Sequence, residues 1–318
     1  MKKEIGISVL LFVLCAVTTV LNPKFISLVN LTNTANQIGM YGIFSLGLGL
    51  VIITGGIDLS VGSMVALCGV LLSMMLTEWH WHWLAAAAAA ILLPMLLGAV
   101  HGALITRMGI QPFIITLCGL LIYRGMARFI AQDNTKGFGN AEGFEGLREL
   151  ARGKLFGLPM PFVLLLLIAV ILWFVLHRSI YGRYLLAVGR NEEATRFSGI
   201  NTRRVIASSY VAAGLLTGIS GILFAFYTNS VSPSNHGNFY ELYGIAAAVL
   251  GGCSLRGGEG SIPGILIGTA LLQVLQNLVN LLGIPSSLNF AVMGAVVLFG
   301  VLADQIFQNR SEKKLVRH

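Results

Sequence analysis

The chain is a succession of apolar runs, most of them about as long as a bilayer is thick, joined by short polar pieces. They lie near 5–21, 38–54, 58–77, 84–106, 111–130, 161–177, 205–227, 241–252, 262–282 and 288–306. A hydrocarbon core of about 30 Å takes roughly 20 apolar residues per helix, and fewer where half-helices are buried in protein. Lipid offers no water to unpaired backbone groups, so this pattern predicts an all-α integral membrane fold of about ten transmembrane or partly spanning helices, with short broken helices among them. The eighth run is too short to cross alone. The first follows Lys2 and Lys3 as a signal peptide would, but no A-x-A-like site follows it, and it reads as an uncleaved helix.

Composition is useful for what it excludes. Charged residues make up 11% of the 318, against about 25% in an average soluble domain, and apolar residues reach 56%. That balance rules out a disordered chain and argues against a soluble globular one. No polar stretch is long enough for a second domain, so 1–318 reads as a single transmembrane domain. The net charge of +8 would suit nucleic acid, yet the basic residues are scattered in short pieces between apolar runs. Membrane lipid, with no nucleic acid, is the partner that arrangement fits. Cys15, Cys68, Cys118 and Cys253 stand far apart, without metal-ligand spacing, and read as packing residues.

Ten passes put both ends on one side. With both termini cytoplasmic, 14 of the 21 Lys and Arg fall inside, and most of the rest lie in or beside one long outer loop, 131–160. The positive-inside rule favours that orientation. An eight-span arrangement would keep the same ends inside.

Three runs contain small-residue pairs, Gly98 with Gly102, Gly214 with Gly218 and Gly264 with Gly268, a spacing that lets helix backbones approach closely in lipid. Residues 53–63 and 249–259 look alike. Each is a Gly-Gly break at the inner end of a run, followed by polar residues and another run, as in a degenerate internal repeat.

Few side chains offer chemistry. Asp58, between Gly55-Gly56 and the run from Val61, suits a structural helix cap favoured by the dipole; the alternative is a proton or ion site. Asn30, Asn33, Thr34 and Gln37 are spaced i, i+3, i+4, i+7, and so are Gln273, Gln276, Asn277 and Asn280. Each set therefore lies on one helix face. Such faces either line a translocation pathway for a polar uncharged solute or hold helices together by hydrogen bonds. They argue against an ion channel, which would show rings of charged side chains. His80 and His82, among Trp79, Trp81 and Trp83, sit at an interface where tryptophans anchor, and no carboxylate or cysteine completes a metal site. No metal, cofactor or catalytic constellation is expected. Nor is there a G-x-x-x-x-G-K-[ST] loop, and Arg256-Gly-Gly-Glu-Gly260 lacks its lysine and hydroxyl. If the chain moves anything with ATP, another chain must hydrolyse it.

The main cytoplasmic segment is 178–204. Within it Asn191 can cap a helix, Glu192 and Glu193 lie in its first turn, Arg196 near its end, and Gly199 stops it. The spacing predicts a helix of about seven residues, roughly 10 Å long. Ala194 and Phe197 share a face that either enters a partner's groove or is simply solvated.

Over nearly its whole length the sequence resembles the membrane permeases of bacterial ATP-binding-cassette importers, in the branch that takes up ribose and related monosaccharides. The segments that carry the resemblance are Ile52-Ile-Thr-Gly-Gly-Ile-Asp-Leu-Ser-Val-Gly-Ser63, Pro112-Phe-Ile-Ile-Thr-Leu117, Tyr123-Arg-Gly125, Gly182-Arg183, Asn191-Glu-Glu-Ala194, Arg196-Phe-Ser-Gly-Ile-Asn201, Tyr240-Glu-Leu242, Ile245-Ala-Ala-Ala-Val-Leu-Gly-Gly252 and Ser254-Leu-Arg-Gly-Gly258. Tyr243-Gly244 stands where that family commonly has Asp-Ala, Cys253 where it has Thr and Cys118 where it has Gly. The resemblance implies a non-catalytic permease in the bacterial plasma (inner) membrane. It implies a second permease subunit, most simply a homodimer, a cytoplasmic ATP-binding subunit and an extracytoplasmic sugar-binding protein. It also implies that Asn191, Glu192, Glu193, Ala194, Arg196 and Phe197 form the coupling helix. The alternatives are a permease for another neutral polar solute, of the nucleoside or autoinducer type, and an ion-coupled secondary transporter. The last would need a cation site, for which Asp58 is the one candidate.

Overall fold

A computed structural model describes residues 2–139 and 141–285, with the isolated positions 288, 291, 292, 294, 295 and 298 beyond them. Apart from those positions, the apolar run at 288–306 and the basic C-terminal residues lie outside the described residues. Among the described residues the fold is all-α. Its helices are α1 (Lys2–Leu21), α2 (Leu28–Ile53), α3 (Val61–Thr77), α4 (Trp83–Met108), α5 (Pro112–Ala131), α6 (Glu145–Arg152), α7 (Met160–Arg178), α8 (Ile180–Arg190), α9 (Glu192–Phe197), α10 (Thr202–Thr228), α11 (Tyr240–Leu250) and α12 (Ile262–Leu281). Seven of them, α1, α2, α4, α5, α7, α10 and α12, are long and apolar enough to cross a membrane. The helix α3, at 17 residues, spans about 25 Å and α11, at 11, about 16 Å. Neither reaches across a bilayer core.

Nine of the ten apolar runs are thus helices, with one boundary well displaced. The helix α2 starts at Leu28, not near 38, because Ser27 Oγ accepts from Asn30 N–H at 3.3 Å and caps it. Its first turns carry the amide stripe, which lowers their hydropathy and hides them from a search for apolar runs. Burial then sorts the helices: 83% of the most apolar window of α2 is buried, against 6% of that of α1. The centre is built on α2 and α10, while α1, α4, α5 and α7 turn residues such as Phe12, Leu96, Phe129 and Val170 outward, as lipid-facing helices do.

Glycine decides which helices touch. A Cβ on Gly98 would overlap the Tyr210 carbonyl and one on Gly102 the Ala207 Cα, while Gly214 and Gly218 lie equally close to the backbone of Pro94 and of Ala90–Ile91. The two small-residue pairs of α4 and α10 therefore face each other. The third pair, Gly264 and Gly268 of α12, packs on the carbonyls of Gly251 and Ala247, so that α11 and α12 form a backbone-packed hairpin.

The two half-length helices begin at the same depth. Gly62 in the first turn of α3 and Gly237 just before α11 are so close that a Cβ on either would overlap the other's carbonyl oxygen. From this point α3 and α11 run to opposite ends of the bundle. At the end that α3 reaches, the described residues of 131–160 include secondary structure of their own. Strand β1 (Lys136–Gly137) precedes α6, a hairpin of β2 (Lys154–Leu155) and β3 (Leu158–Pro159) follows it, and β4 (Ser230–Val231) pairs with β1. Phe138 stacks on Phe226 at 4.4 Å and fixes this cover to α10. Beside it, Arg128 binds Asp133 at 2.6 and 3.2 Å, which holds that exposed carboxyl below its usual range.

Candidate functional site

The two amide stripes come together. Asn30, Asn33, Thr34 and Gln37 of α2 and Gln273, Gln276, Asn277 and Asn280 of α12 line one cavity of about 190 Å³, at the end of the bundle opposite the Gly-Gly turns. Both readings of the stripes are represented in it. Asn30 and Asn277 exchange amide hydrogen bonds of 3.0 and 2.8 Å and so tie α2 to α12. Gln37 Nε2 donates to Tyr227 Oη at 3.0 Å, and the buried Thr34 hydroxyl has no hydrogen-bond partner among the described residues. The lining offers uncharged donors and acceptors, the chemistry that a polyhydroxylated neutral solute would use. A larger depression of about 380 Å³ beside Glu4, Ile5, Ser8, Val9 and Phe12 of α1 is an open, apolar surface without convergent polar groups.

One turn beyond Gln37 the α2 face becomes aromatic. Tyr41 lies 5.1 Å from Phe224, 5.0 Å from Tyr240 and 5.7 Å from Tyr243, measured between ring centroids. Phe44 stacks on Tyr240 at 5.9 Å. Tyr41, Phe44 and Phe224 are buried, and Tyr240 and Tyr243 are half-buried. Gly244 makes this possible, since a Cβ there would overlap Leu48 and crowd Phe44.

At the other end the two Gly-Gly turns meet. Gly258 N–H donates to Ile53 O at 2.9 Å, and Gly257 and Gly258, both at positive φ, lie against Gly189 and Arg190 at the end of α8. The two similar segments are therefore neighbours in space. Asp58 is not the N-cap of α3: Ser60 holds that position, and Asp58 Oδ1 accepts from its N–H at 2.9 Å and its hydroxyl at 2.6 Å. The carboxylate fixes the turn two residues before the helix.

Several buried polar residues have no role assigned from the sequence, although Thr116, Tyr123, Arg124 and Glu241 lie in segments that carry the family resemblance. His101 Nε2 and Tyr123 Oη are 2.8 Å apart, and Thr116 and Tyr210 hydroxyls reach the Ile57 carbonyl at 3.4 and 3.3 Å, beside Asp58. Glu241 is buried against Gly62, where α3 and α11 begin, and Arg124 donates to the carbonyls of Pro233 and His236 at 3.0 and 2.7 Å. Single polar residues within apolar runs were the available signal, and nothing in their spacing links them.

The predicted cytoplasmic helix is α9. Asn191 Oδ1 accepts from Ala194 N–H at 2.9 Å, and Gly199, at φ 85°, follows its C-cap. Thr195 turns inward, while Glu192, Glu193, Ala194, Arg196 and Phe197 are exposed, Phe197 at 79%. Glu192 Oε1 accepts from the Thr202 hydroxyl at 3.0 Å, fixing α9 to the start of α10. The helix α8 before it has no clear signal in the sequence because Gly182, Arg183, Gly189 and Arg190 break its apolar pattern, although Gly182, Leu185 and Val188 share its buried face.

Seven helices among the described residues long and apolar enough to cross a membrane, with α3 and α11 too short to do so, describe a multi-pass membrane protein. Residues 30–301 match the family described as branched-chain amino acid transport system / permease component, and the chain belongs to that family. It is 38% identical over 312 residues to the ribose import permease protein RbsC of Bacillus subtilis (strain 168), which covers 95% of this chain and 93% of that one. It is 38% identical over 294 residues to RbsC of Escherichia coli (strain K12), covering 92% and 91%. The autoinducer 2 import system permease protein LsrD of Photorhabdus laumondii is 32% identical over 310 residues, covering 95% and 91%. No solved structure matches.

Proposed function

We propose that this chain is the non-catalytic, membrane-spanning subunit of an ATP-driven importer for a monosaccharide such as ribose. The observation that carries the reading is the meeting of two uncharged amide stripes around one cavity. Similarity to two ribose import permeases supports the solute class. In this reading Asn33, Gln37, Gln273, Gln276, Asn277 and Asn280 line the pathway and 1–318 forms one permease domain. Two copies pair with cytoplasmic ATP-binding subunits, receive sugar from an extracytoplasmic binding protein and are contacted through Asn191, Glu192, Glu193, Ala194, Arg196 and Phe197.

In vesicles containing the permease, its ATPase and its binding protein, ribose uptake should require all three. Gln276→Leu should lower uptake about tenfold while co-purification of the ATPase is unchanged. Normal uptake by that variant would remove the stripes from the pathway, uptake without any ATPase would indicate a secondary transporter, and uptake of an autoinducer-type solute but not ribose would reassign the cargo.

Both termini and 178–204 face the cytoplasm in this reading, and 131–160 faces outward. The exposed positions Ser198 and Glu142 report on it. An impermeant thiol reagent applied to intact cells should modify Glu142→Cys and spare Ser198→Cys; the reverse pattern would invert the topology.

A further inference from the structure

The residues that line the amide cavity are not equally open to the surroundings. Asn33 and Asn280 are exposed and Asn30, Gln37, Gln276 and Asn277 half-buried, whereas Thr34 and Gln273 are buried, at 6% and 4%. The register of the two helices brings this buried pair to the same depth. The helices α2 and α12 run antiparallel, since Gly49 of α2 lies against Ile265 while Asn30 is hydrogen-bonded to Asn277. One turn inward from that tie stand Thr34 on α2, four residues on, and Gln273 on α12, four residues back.

Neither spends its polar atoms on the protein. Every other buried serine or threonine among the described residues donates its hydroxyl, as Thr116 does to the Pro112 carbonyl at 2.9 Å, Thr217 to that of Ala213 at 2.7 Å and Thr269 to that of Ile265 at 2.9 Å. The equivalent acceptor for Thr34 is the Asn30 carbonyl, yet Thr34 Oγ1 makes no hydrogen bond to it or to any other described residue. The Gln273 amide likewise has no hydrogen-bond partner among the described residues. Their neighbours in the stripes are spent, Asn30 on Asn277 and Gln37 on Tyr227. A buried polar group without a partner carries its full desolvation cost, which a solute recovers by supplying the partner.

We propose that Thr34 and Gln273 form a two-point subsite for a pair of adjacent hydroxyls of the sugar, and that this pair decides which neutral solutes the cavity accepts. The proposal rests on reading the cavity as part of a sugar pathway. A threonine hydroxyl donates and accepts, and a glutamine amide donates through Nε2 and accepts through Oε1, so each can exchange hydrogen bonds with a hydroxyl that does the same. Two such groups at one depth on neighbouring helices suit hydroxyls on neighbouring carbons. A charged solute finds no counter-charge in them, and a solute lacking the hydroxyls leaves both unpaired. A site built to hydrogen-bond a hydroxyl rejects the analogue without it more strongly than an apolar pocket rejects a change of size.

The test removes hydroxyls from the protein and from the sugar. In the reconstituted importer, Thr34→Val replaces the hydroxyl by a methyl of similar size, and Thr34→Ser keeps it. Ribose uptake should fall about tenfold in Thr34→Val and in Gln273→Met, and stay within about twofold of the parent in Thr34→Ser. Any two adjacent hydroxyls of a ring-closed pentose include the 2- or the 3-hydroxyl, so 2-deoxyribose and 3-deoxyribose are supplied in parallel, each at a concentration that saturates the binding protein. For at least one of them Thr34→Val should change uptake less than about twofold, because the partner it loses is already missing from the sugar. The binding protein's own preference divides out, since each sugar is compared only between variant and parent. Thermal stability of Thr34→Val should equal or exceed the parent's, as the substitution removes an unpaired buried polar group. Parent-level ribose uptake by Thr34→Val or Gln273→Met overturns the subsite. So does a loss of equal size for all three sugars, or a fall in stability that accompanies it, either of which assigns Thr34 to helix packing. Failure of the underlying reading looks different: Gln276→Leu and Thr34→Val would both transport normally. Failure of the subsite alone would leave Gln276→Leu impaired and Thr34→Val at the parent level.

Discussion

Two helix seams in this molecule are built on opposite principles. Between α4 and α10, four glycines bring backbone against backbone, too close for a Cβ at any of the four. Between α2 and the α11–α12 hairpin, amides line a cavity, and aromatic rings meet side chain to side chain one turn further along α2. Close-packed backbone has essentially one low-energy arrangement, whereas side-chain contacts of similar size can be exchanged for contacts with a solute. The glycine seam is the frame, and the amide seam is the part that we propose admits a solute.

Breaking the frame should have the largest effect. Gly214→Leu places a branched side chain where Cβ alone already overlaps the Pro94 carbonyl. Overpacking costs about 1–3 kcal/mol where side chains can yield, and here backbone must shift, so the cost lies at or above the upper end. The expected outcome is loss of a monodisperse, folded peak after detergent extraction. Gly6→Leu, at a position with nothing within 4 Å of its Cβ, should extract normally. Equal behaviour of the two would mean that the α4–α10 contact is not the frame.

A second experiment separates function from stability. Ala194 is exposed on α9, so Ala194→Trp has no clash within the chain, and Glu193→Arg reverses a charge favoured at that helix N-terminus. Extraction and thermal stability should stay at the parent level, while the ATPase is lost on co-purification and uptake falls to background. Parent-level uptake in both variants would remove α9 from coupling.

How legible the two seams were in the sequence follows from their chemistry. The glycine pairs at 98/102 and 214/218 declared close packing by spacing alone, although not that they face each other. The amide stripes declared two helix faces, although not that the two faces meet around one cavity. The aromatic cluster was not legible, because Tyr41, Phe224, Tyr240 and Tyr243 come from three helices with no common period. Glu241 and His101 were hidden for the same reason: a single polar residue in an apolar run does not say what it meets. Hydropathy also misplaced the start of α2, since the stripe that makes its first turns functional makes them polar. Asn191 and Gly199 were legible as cap and stop because their partners lie within a few residues.

The smallest expected effect sharpens the division within the amide seam itself. Asn30 and Asn277 satisfy each other, which makes them helix ties, whereas Gln276 lines the cavity with no such partner across the seam among the hydrogen bonds of the described residues. Interhelical hydrogen bonds in membranes average about 0.6 kcal/mol, with about 1.7 as an upper value, because helices separated in lipid find other partners. A double-mutant cycle of Asn30→Leu and Asn277→Leu should therefore give a coupling near 0.6 kcal/mol in the stability of the extracted permease. Asn30→Leu and Gln276→Leu should add within about 0.5 kcal/mol, as sites without a shared bond do. Transport should show the opposite order, with Gln276→Leu affecting uptake more than stability and Asn30→Leu affecting stability at least as much as uptake. If the 30/277 pair is additive and the 30/276 pair is coupled, the amides have been assigned the wrong way round, and the tie between α2 and α12 runs through Gln276 instead of Asn277.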